Sequence, residues 1–158
     1  MAKLPQNTSY IIPRLFCADP VKEVEFCRAV FGAVSLNQRP GPDGMLAHAL
    51  LTIHSEMIMV EASWPALPSR PPPVDGSSPV VIFIYVEDVD ATVKSAEALG
   101  AKLLVPPKDQ FWGDRTAWIM DPNGHVWTVA TRIEETSAEE RTKRWSDILN
   151  AEPRSATK

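Results

Sequence analysis

The side chains of this chain that could carry chemistry are few: His48, His54 and His125, the thiols Cys17 and Cys27, and a scattered set that joins Arg14 and Glu61 to methionines and aromatics. General acid/base work needs a histidine and a carboxylate within hydrogen-bond reach of one substrate. His54 and His125 fall at hairpin turns, where a solvated or backbone-bonded ring is expected, and His48 lies mid-strand with no matching carboxylate in view. Glu61, at a strand end, reads as a solvated rim carboxylate. Cys17 and Cys27 read as buried free thiols rather than a disulfide, one ending a strand and the other on the apolar side of a helix. No catalytic residue is assigned. What remains is binding chemistry: Arg14 as an anchor for an anionic group, with Phe16, Met57, Met59, Phe83, Tyr85, Trp112, Trp118 and Thr128 as the wall and polar points of a small-molecule groove.

The elements that would position this set occur twice. Adding 69 carries Asp19 onto Asp88, Val24 onto Val93, Ile58 onto Trp127 and Met59 onto Thr128. A one-residue slip then aligns Gly32-Ala33 with Gly100-Ala101, each pair closing a helix. In the first copy a strand over 10–17 leads to Asp19-Pro20, a capping acid followed by proline at the first helical position. A helix follows through Val24, Cys27, Val30 and Phe31, then a short strand over 34–36, a loop at 39–44, and strands over 45–53 and 57–61. The second copy predicts a strand over 80–86, a helix from Asp88 or Asp90 to Gly100, a short strand over 103–105 before Pro106-Pro107, and a hairpin of 115–120 with 126–131.

The expected organisation is therefore α+β: a βαβββ module over 8–62, a proline-rich linker over 63–79, a second βαβββ module over 80–132, and a C-terminal helix within 133–150, all in one structural domain. Ser137-Ala138-Glu139-Glu140 is a capping box for that helix, which carries Trp145, Ile148 and Leu149 and reads as a flap packed on the body or on a second subunit.

Composition excludes some partners. The 158 residues are 44% hydrophobic and 23% charged, with a formal net charge of -4 and a pI near 5.4. Lys and Arg are scattered, so no basic stripe marks a nucleic-acid surface. No apolar run approaches the roughly 18 residues of a membrane span. Residues 1–7 lack the apolar stretch of a signal peptide, and a cytoplasmic location is the expectation.

Strand parity separates two faces. Ile11, Pro13 and Leu15 in one copy and Val80, Ile82 and Ile84 in the other form an apolar side suited to packing under the helices, with Ile58, Val60, Trp127 and Val129. The opposite side carries Arg14, Phe16, Met57, Met59 and Glu61 in one copy and Phe83, Tyr85, Val126, Thr128 and Ala130 in the other. A type I turn with a bulge at Asp121-Pro122-Asn123-Gly124 pairs Asp121 with His125 and sets Trp118 opposite Thr128, on the groove side. Trp127 belongs to the core. Trp112, in the loop before this strand, either closes the groove's end or anchors its loop.

The double layout, the Phe-Gly-Ala and Leu-Gly-Ala helix ends and the Asp-Pro-Asn-Gly hairpin resemble the glyoxalase, bleomycin-resistance and extradiol-dioxygenase (vicinal oxygen chelate) superfamily. Phe111-Trp112-Gly113-Asp114-Arg115 followed by Asp121-Pro122-Asn123-Gly124-His125-Val126-Trp127 is similar to its PhnB-like branch. The resemblance implies a curled eight-stranded mixed sheet around a cleft, a homodimer, and for His125 a structural hydrogen bond within its hairpin. In metal-dependent members, His, Glu or Gln on the first and last strand of each module hold a divalent cation that acts as a Lewis acid. The corresponding positions here are Ile12, Met59, Val81 and Thr128, none of them a ligand for a hard cation, so no metal and no cofactor is expected. Three functions compete on this reading. They are a metal-independent small-molecule binder of the bleomycin-resistance type, a metal-dependent lyase, isomerase or dioxygenase, and a non-catalytic structural or regulatory dimer.

Overall fold

Asp19 and Asp88 each turn a strand into a helix by the same local chemistry. In the computed structural model, which describes residues 8–64, 66 and 68–151, Asp19 Oδ1 accepts from the Lys22 amide at 3.1 Å and Asp88 Oδ1 from the Ala91 amide at 3.0 Å. These caps open α1 (Pro20–Phe31) and α2 (Val89–Ala98). Gly32 and Gly100, at φ 67° and 91°, stop them. Residues 1–7, Pro65 and Leu67 of the linker, and 152–158 lie outside the described residues.

Around the helices the strands are β1 (Arg14–Cys17), β2 (Val34–Pro40), β3 (Leu46–Ile53) and β4 (Glu56–Ala62), then β5 (Val81–Tyr85), β6 (Lys102–Asp109), β7 (Asp114–Met120) and β8 (Val126–Arg132). They form two four-stranded mixed sheets of order β1-β4-β3-β2 and β5-β8-β7-β6. The duplication extends to register. Arg14 lies beside Met59 in the parallel β1/β4 pair, and Phe83 beside Thr128 in the parallel β5/β8 pair, each 69 residues on. The fold is thus the expected α+β pair of βαβββ modules, its eight strands divided between two sheets.

Two strands run longer than their sequence suggests. β2 extends to Pro40, and β6 continues through Pro106 and Pro107 to Asp109. Both are edge strands, where a missing amide costs no ladder bond on the open side, and both carry register shifts. β1 is shorter than expected: it starts at Arg14, and Tyr10 and Ile11 are exposed before it.

Each helix covers one face of its own sheet, α1 over β1, β3 and β4 and α2 over β6, β7 and β8. Leu15, Leu51 and Val60 fill the first layer, and Ile119, Trp127 and Val129 the second. The layers meet where the Phe31 ring lies 4.7 Å from that of Trp127 and α1 packs on α2. α3 (Ala138–Ala151) is capped by Ser137 Oγ, which accepts from the Glu140 amide at 3.1 Å. None of its residues is buried, and it is tethered by Arg144 to Glu134 at 2.7 Å and by Trp145 against Phe111 at 5.2 Å. Among the described residues no helix is long and apolar enough to cross a membrane.

Asn123 makes three of the hydrogen bonds between the two modules. Asn123, in the β7–β8 turn, accepts from the Asp19 amide at 2.9 Å and donates Nδ2 to the Asp19 carbonyl at 3.0 Å and to Glu23 Oε2 at 2.9 Å. Glu23 is fully buried, and its Oε1 accepts from Cys27 Sγ at 3.5 Å. Asp121 holds the same turn, accepting from Trp127 Nε1 at 2.7 Å and from the Asn123 and His125 amides. Cys17 and Cys27 are buried free thiols, and burial raises both well above the usual thiol range.

Asn123→Ala leaves the Asp19 amide and the Glu23 carboxyl without this partner, and is expected to lower stability by about 2–4 kcal/mol, read as a lower urea midpoint. Glu23 carries a pH signature: burial, followed by the neighbouring Asp121 carboxylate, pushes its pKa up from 4.5 to about 8. The folded state keeps a proton that the unfolded chain releases. This contribution is therefore fully present below pH 4.5 and is lost as the pH rises to about 8. Glu23→Gln cannot ionise and is expected to flatten the decline in stability between pH 5 and 8 in urea titrations. An unchanged slope would contradict the assignment.

Candidate functional site

Alternation along the strands leaves one face of each sheet without a helix, and the candidate site residues lie there. In the first module the helix-free face joins Arg14 and Phe16 of β1, Met57, Met59 and Glu61 of β4, and His48 and Leu50 of β3. The antiparallel register places His48 beside Glu61 and Leu50 beside Met59. Glu61 is 5% exposed, and its Oε1 receives both Arg14 Nη2 at 3.1 Å and His48 Nδ1 at 2.9 Å. The Arg14 guanidinium also lies over the Phe16 ring, 5.3 Å from its centroid.

Glu61 and His48 depart from their sequence readings. Glu61 is a buried, doubly partnered carboxylate rather than a solvated one, because Arg14 and His48 converge on it from the flanking strands. His48 does have a matching carboxylate. Arg14, expected as an anionic anchor, has one nitrogen bonded to Glu61 while its side chain stays 49% exposed. The missed pairing was accessible in principle. The tight β3–β4 turn pairs Ile53 with Glu56, and counting outward from it reaches His48 and Glu61.

The second module's face has a different character. Phe83 and Tyr85 of β5 and Trp118 of β7 are 49%, 50% and 39% exposed, with the Phe83 and Tyr85 rings 5.3 Å apart edge to face. Trp118 sits opposite Thr128, as the turn geometry predicts, and Thr128 is buried. At the end of this face Asp114 is buried. Its Oδ2 accepts from Tyr85 Oη at 3.0 Å and Trp112 Nε1 at 2.8 Å, and Arg132 Nε lies 3.2 Å from Oδ1. Trp112 is therefore an anchor for its loop, its ring edge-on to Phe111 at 5.0 Å. Local desolvation and the Asp114 carboxylate raise the Tyr85 hydroxyl above its ordinary pKa. The sequence marks Asp114 only as part of the Phe-Trp-Gly-Asp-Arg motif and not its pairings, because its partners come from a strand, a loop and the end of β8.

His125 is backbone-bonded, as expected, but the partner of its ring lies outside the hairpin. Its backbone amide bonds Asp121 within the hairpin, but its ring reaches the first module, with Nε2 3.1 Å from the Phe16 carbonyl and 3.6 Å from Cys17 Sγ. Burial lowers its pKa and favours the neutral ring.

The positions where a divalent cation would sit in this architecture are Ile12, Met59, Val81 and Thr128. They supply two hydrocarbon side chains, a thioether and a hydroxyl, a set that does not fit a hard cation. Among the described residues no three His, Cys, Asp or Glu side chains converge as a metal site. Two depressions lie apart from these faces. One, of about 560 Å³, is bounded by the start of α1, the β2–β3 loop and Trp64; the other, of about 650 Å³, lies between α3 and Phe111 and Trp112.

A sequence profile of the Glyoxalase/Bleomycin resistance protein/Dioxygenase superfamily matches residues 10–129. An uncharacterized protein of Mycobacterium bovis is 36% identical over 131 residues, which cover 81% of this chain and 86% of the relative. The crystal structure of TioX from Micromonospora sp. ML1 superposes with a TM-score of 0.61 at 28% identity, covering 79% of this chain and 99% of that one. The fosfomycin resistance protein FosX of Listeria monocytogenes, crystallised with Mn(II) and sulfate, shares the fold with a TM-score of 0.61 at 17% identity over 87% of this chain and 97% of its own.

Asp114→Ala would leave the Tyr85 hydroxyl, the Trp112 indole and Arg132 without their shared acceptor. It is expected to cost about 2–4 kcal/mol in urea unfolding and to red-shift the tryptophan emission as Trp112 loosens. A variant of unchanged stability would show that Asp114 does not organise this end of the face.

Proposed function

The chain belongs to the glyoxalase/bleomycin resistance protein/dioxygenase superfamily, and from that premise we propose that it binds a small aromatic or amphipathic molecule in a groove made by the helix-free faces of its two modules, without a metal. The observation that carries this reading is the half-exposed cluster of Phe83, Tyr85 and Trp118. Leaving that much aromatic surface in water forgoes about 25 cal/mol per Å² of burial, which a ligand or a facing surface recovers. Met57 and Met59 on the other module supply a deformable apolar wall, and the exposed part of Arg14 supplies a cationic point. Metal independence rests on the donor set at Ile12, Met59, Val81 and Thr128. A homodimer, whose second copy closes the open faces, belongs to the same reading, as do the PhnB-like branch and a cytoplasmic location.

Titration with a panel of planar aromatic and amphipathic compounds is expected to quench tryptophan emission, and Trp118→Phe to remove most of the response. Ligand at about 100 times its Kd should add roughly 2.7 kcal/mol of apparent stability. Mn(II), Zn(II), Ni(II) and a chelator are expected to leave the melting temperature unchanged. A cation-dependent increase would instead favour the metal-dependent lyase, isomerase or dioxygenase chemistry of the superfamily. Silence towards every compound would favour a structural role.

A further inference from the structure

We infer that His48, Glu61 and Arg14 form a metal-free proton-transfer site, serving a small substrate whose acidic C–H lies beside a carbonyl or a comparably electron-withdrawing group. The inference rests on the reading that the helix-free faces bind small molecules, and adds an activity to it.

Glu61 Oε1 lies 2.9 Å from His48 Nδ1, so the carboxylate takes the proton-bearing nitrogen and leaves the Nε2 lone pair as the base. Among the described residues Nε2 has no hydrogen-bond partner. When Nε2 takes a proton, the imidazolium forms against a buried carboxylate that stabilises it, and the ring is already oriented. Arg14 shares the same oxygen at 3.1 Å and is half in solvent, so its remaining guanidinium edge can meet the anion that deprotonation creates. Phe16, Leu50 and Met59 surround the three with apolar surface, and Arg39, beside His48 on β2, is the further charge on this side.

The internal duplication supplies an independent control. In the second module Ala130, 69 residues on from Glu61, lies opposite Thr116, one residue short of 69 on from His48 because this hairpin is one residue longer. The architecture closes without a buried carboxylate there, with Thr116 satisfied by Gln110 at 2.9 Å. The carboxylate at this register is thus particular to the first module; the buried carboxylate on the second module's face is Asp114, one same-face pair further along β7 and held by Tyr85 and Trp112.

The step balances without a co-reactant. Nε2 accepts the proton, the C–H electron pair moves into the substrate, and the proton returns either to another carbon or to water. 5-Nitrobenzisoxazole probes this directly: loss of its ring proton forms the nitrile, breaks the N–O bond and releases a coloured phenolate. Turnover by the intact protein is expected, with His48→Ala and His48→Gln each lowering kcat/KM by about 100-fold or more. Glu61→Gln should lower kcat more than it changes KM, and nitrogen NMR should show the His48 ring passing from a single Nδ1–H tautomer to a mixture. If the histidine variants turn over the probe as fast as the parent while it still quenches tryptophan emission, the proton-transfer inference is overturned and the binding reading stands. If the probe neither quenches nor reacts, the inference falls for this substrate class, while the compound panel decides separately on binding.

Discussion

Everything in this molecule depends on how Asn123 joins a turn of the second module to the first turn of a helix in the first. Each βαβββ module buries one sheet face under its own helix, and one apolar core runs through both. Their relative placement is a separate matter, and apolar packing of Phe31 on Trp127 is too non-directional to define it. Asn123 adds direction by bonding the Asp19 amide, the Asp19 carbonyl and Glu23 at once. The linker closes the back of the same turn. Gly124, at φ 94°, lies so near the Pro72 and Pro73 carbonyls that a Cβ there would come within 3.0 and 2.9 Å of them.

With the modules docked in this way, their helix-free faces divide the labour unequally. The first concentrates charge in the Arg14, Glu61 and His48 cluster, and the second concentrates aromatic surface in Phe83, Tyr85 and Trp118. The two copies thus share the parallel β1/β4 and β5/β8 register and differ at the equivalent outward side chains. Such divergence is inexpensive because the register is held by backbone ladders and by the buried parity, not by the outward one.

Much of the fold was legible in the sequence, because its signals are local. The helix caps at Asp19 and Asp88, the glycine stops and the Asp-Pro-Asn-Gly turn each act within a few residues, and counting back from the turn correctly paired Trp118 with Thr128. The edge strands were the local failures, since Pro106 and Pro107 read as breakers until the strand is known to lie at an edge. The candidate site was legible in its composition but not in its pairings. Arg14 and Glu61 are separated by 47 residues, and Tyr85 and Asp114 by 29.

By itself, then, the sequence determined the class of fold, the repeated register, the core and the non-ligating character of Ile12, Met59, Val81 and Thr128, because these follow from period, capping and side-chain chemistry. Only the tertiary structure decided that Glu61 is buried between Arg14 and His48, that Asp114 gathers Tyr85 and Trp112, and that Asn123 and the His125 ring reach across to the other module. Those are meetings of residues distant in the chain, and no local propensity encodes which oxygen a distant donor will find.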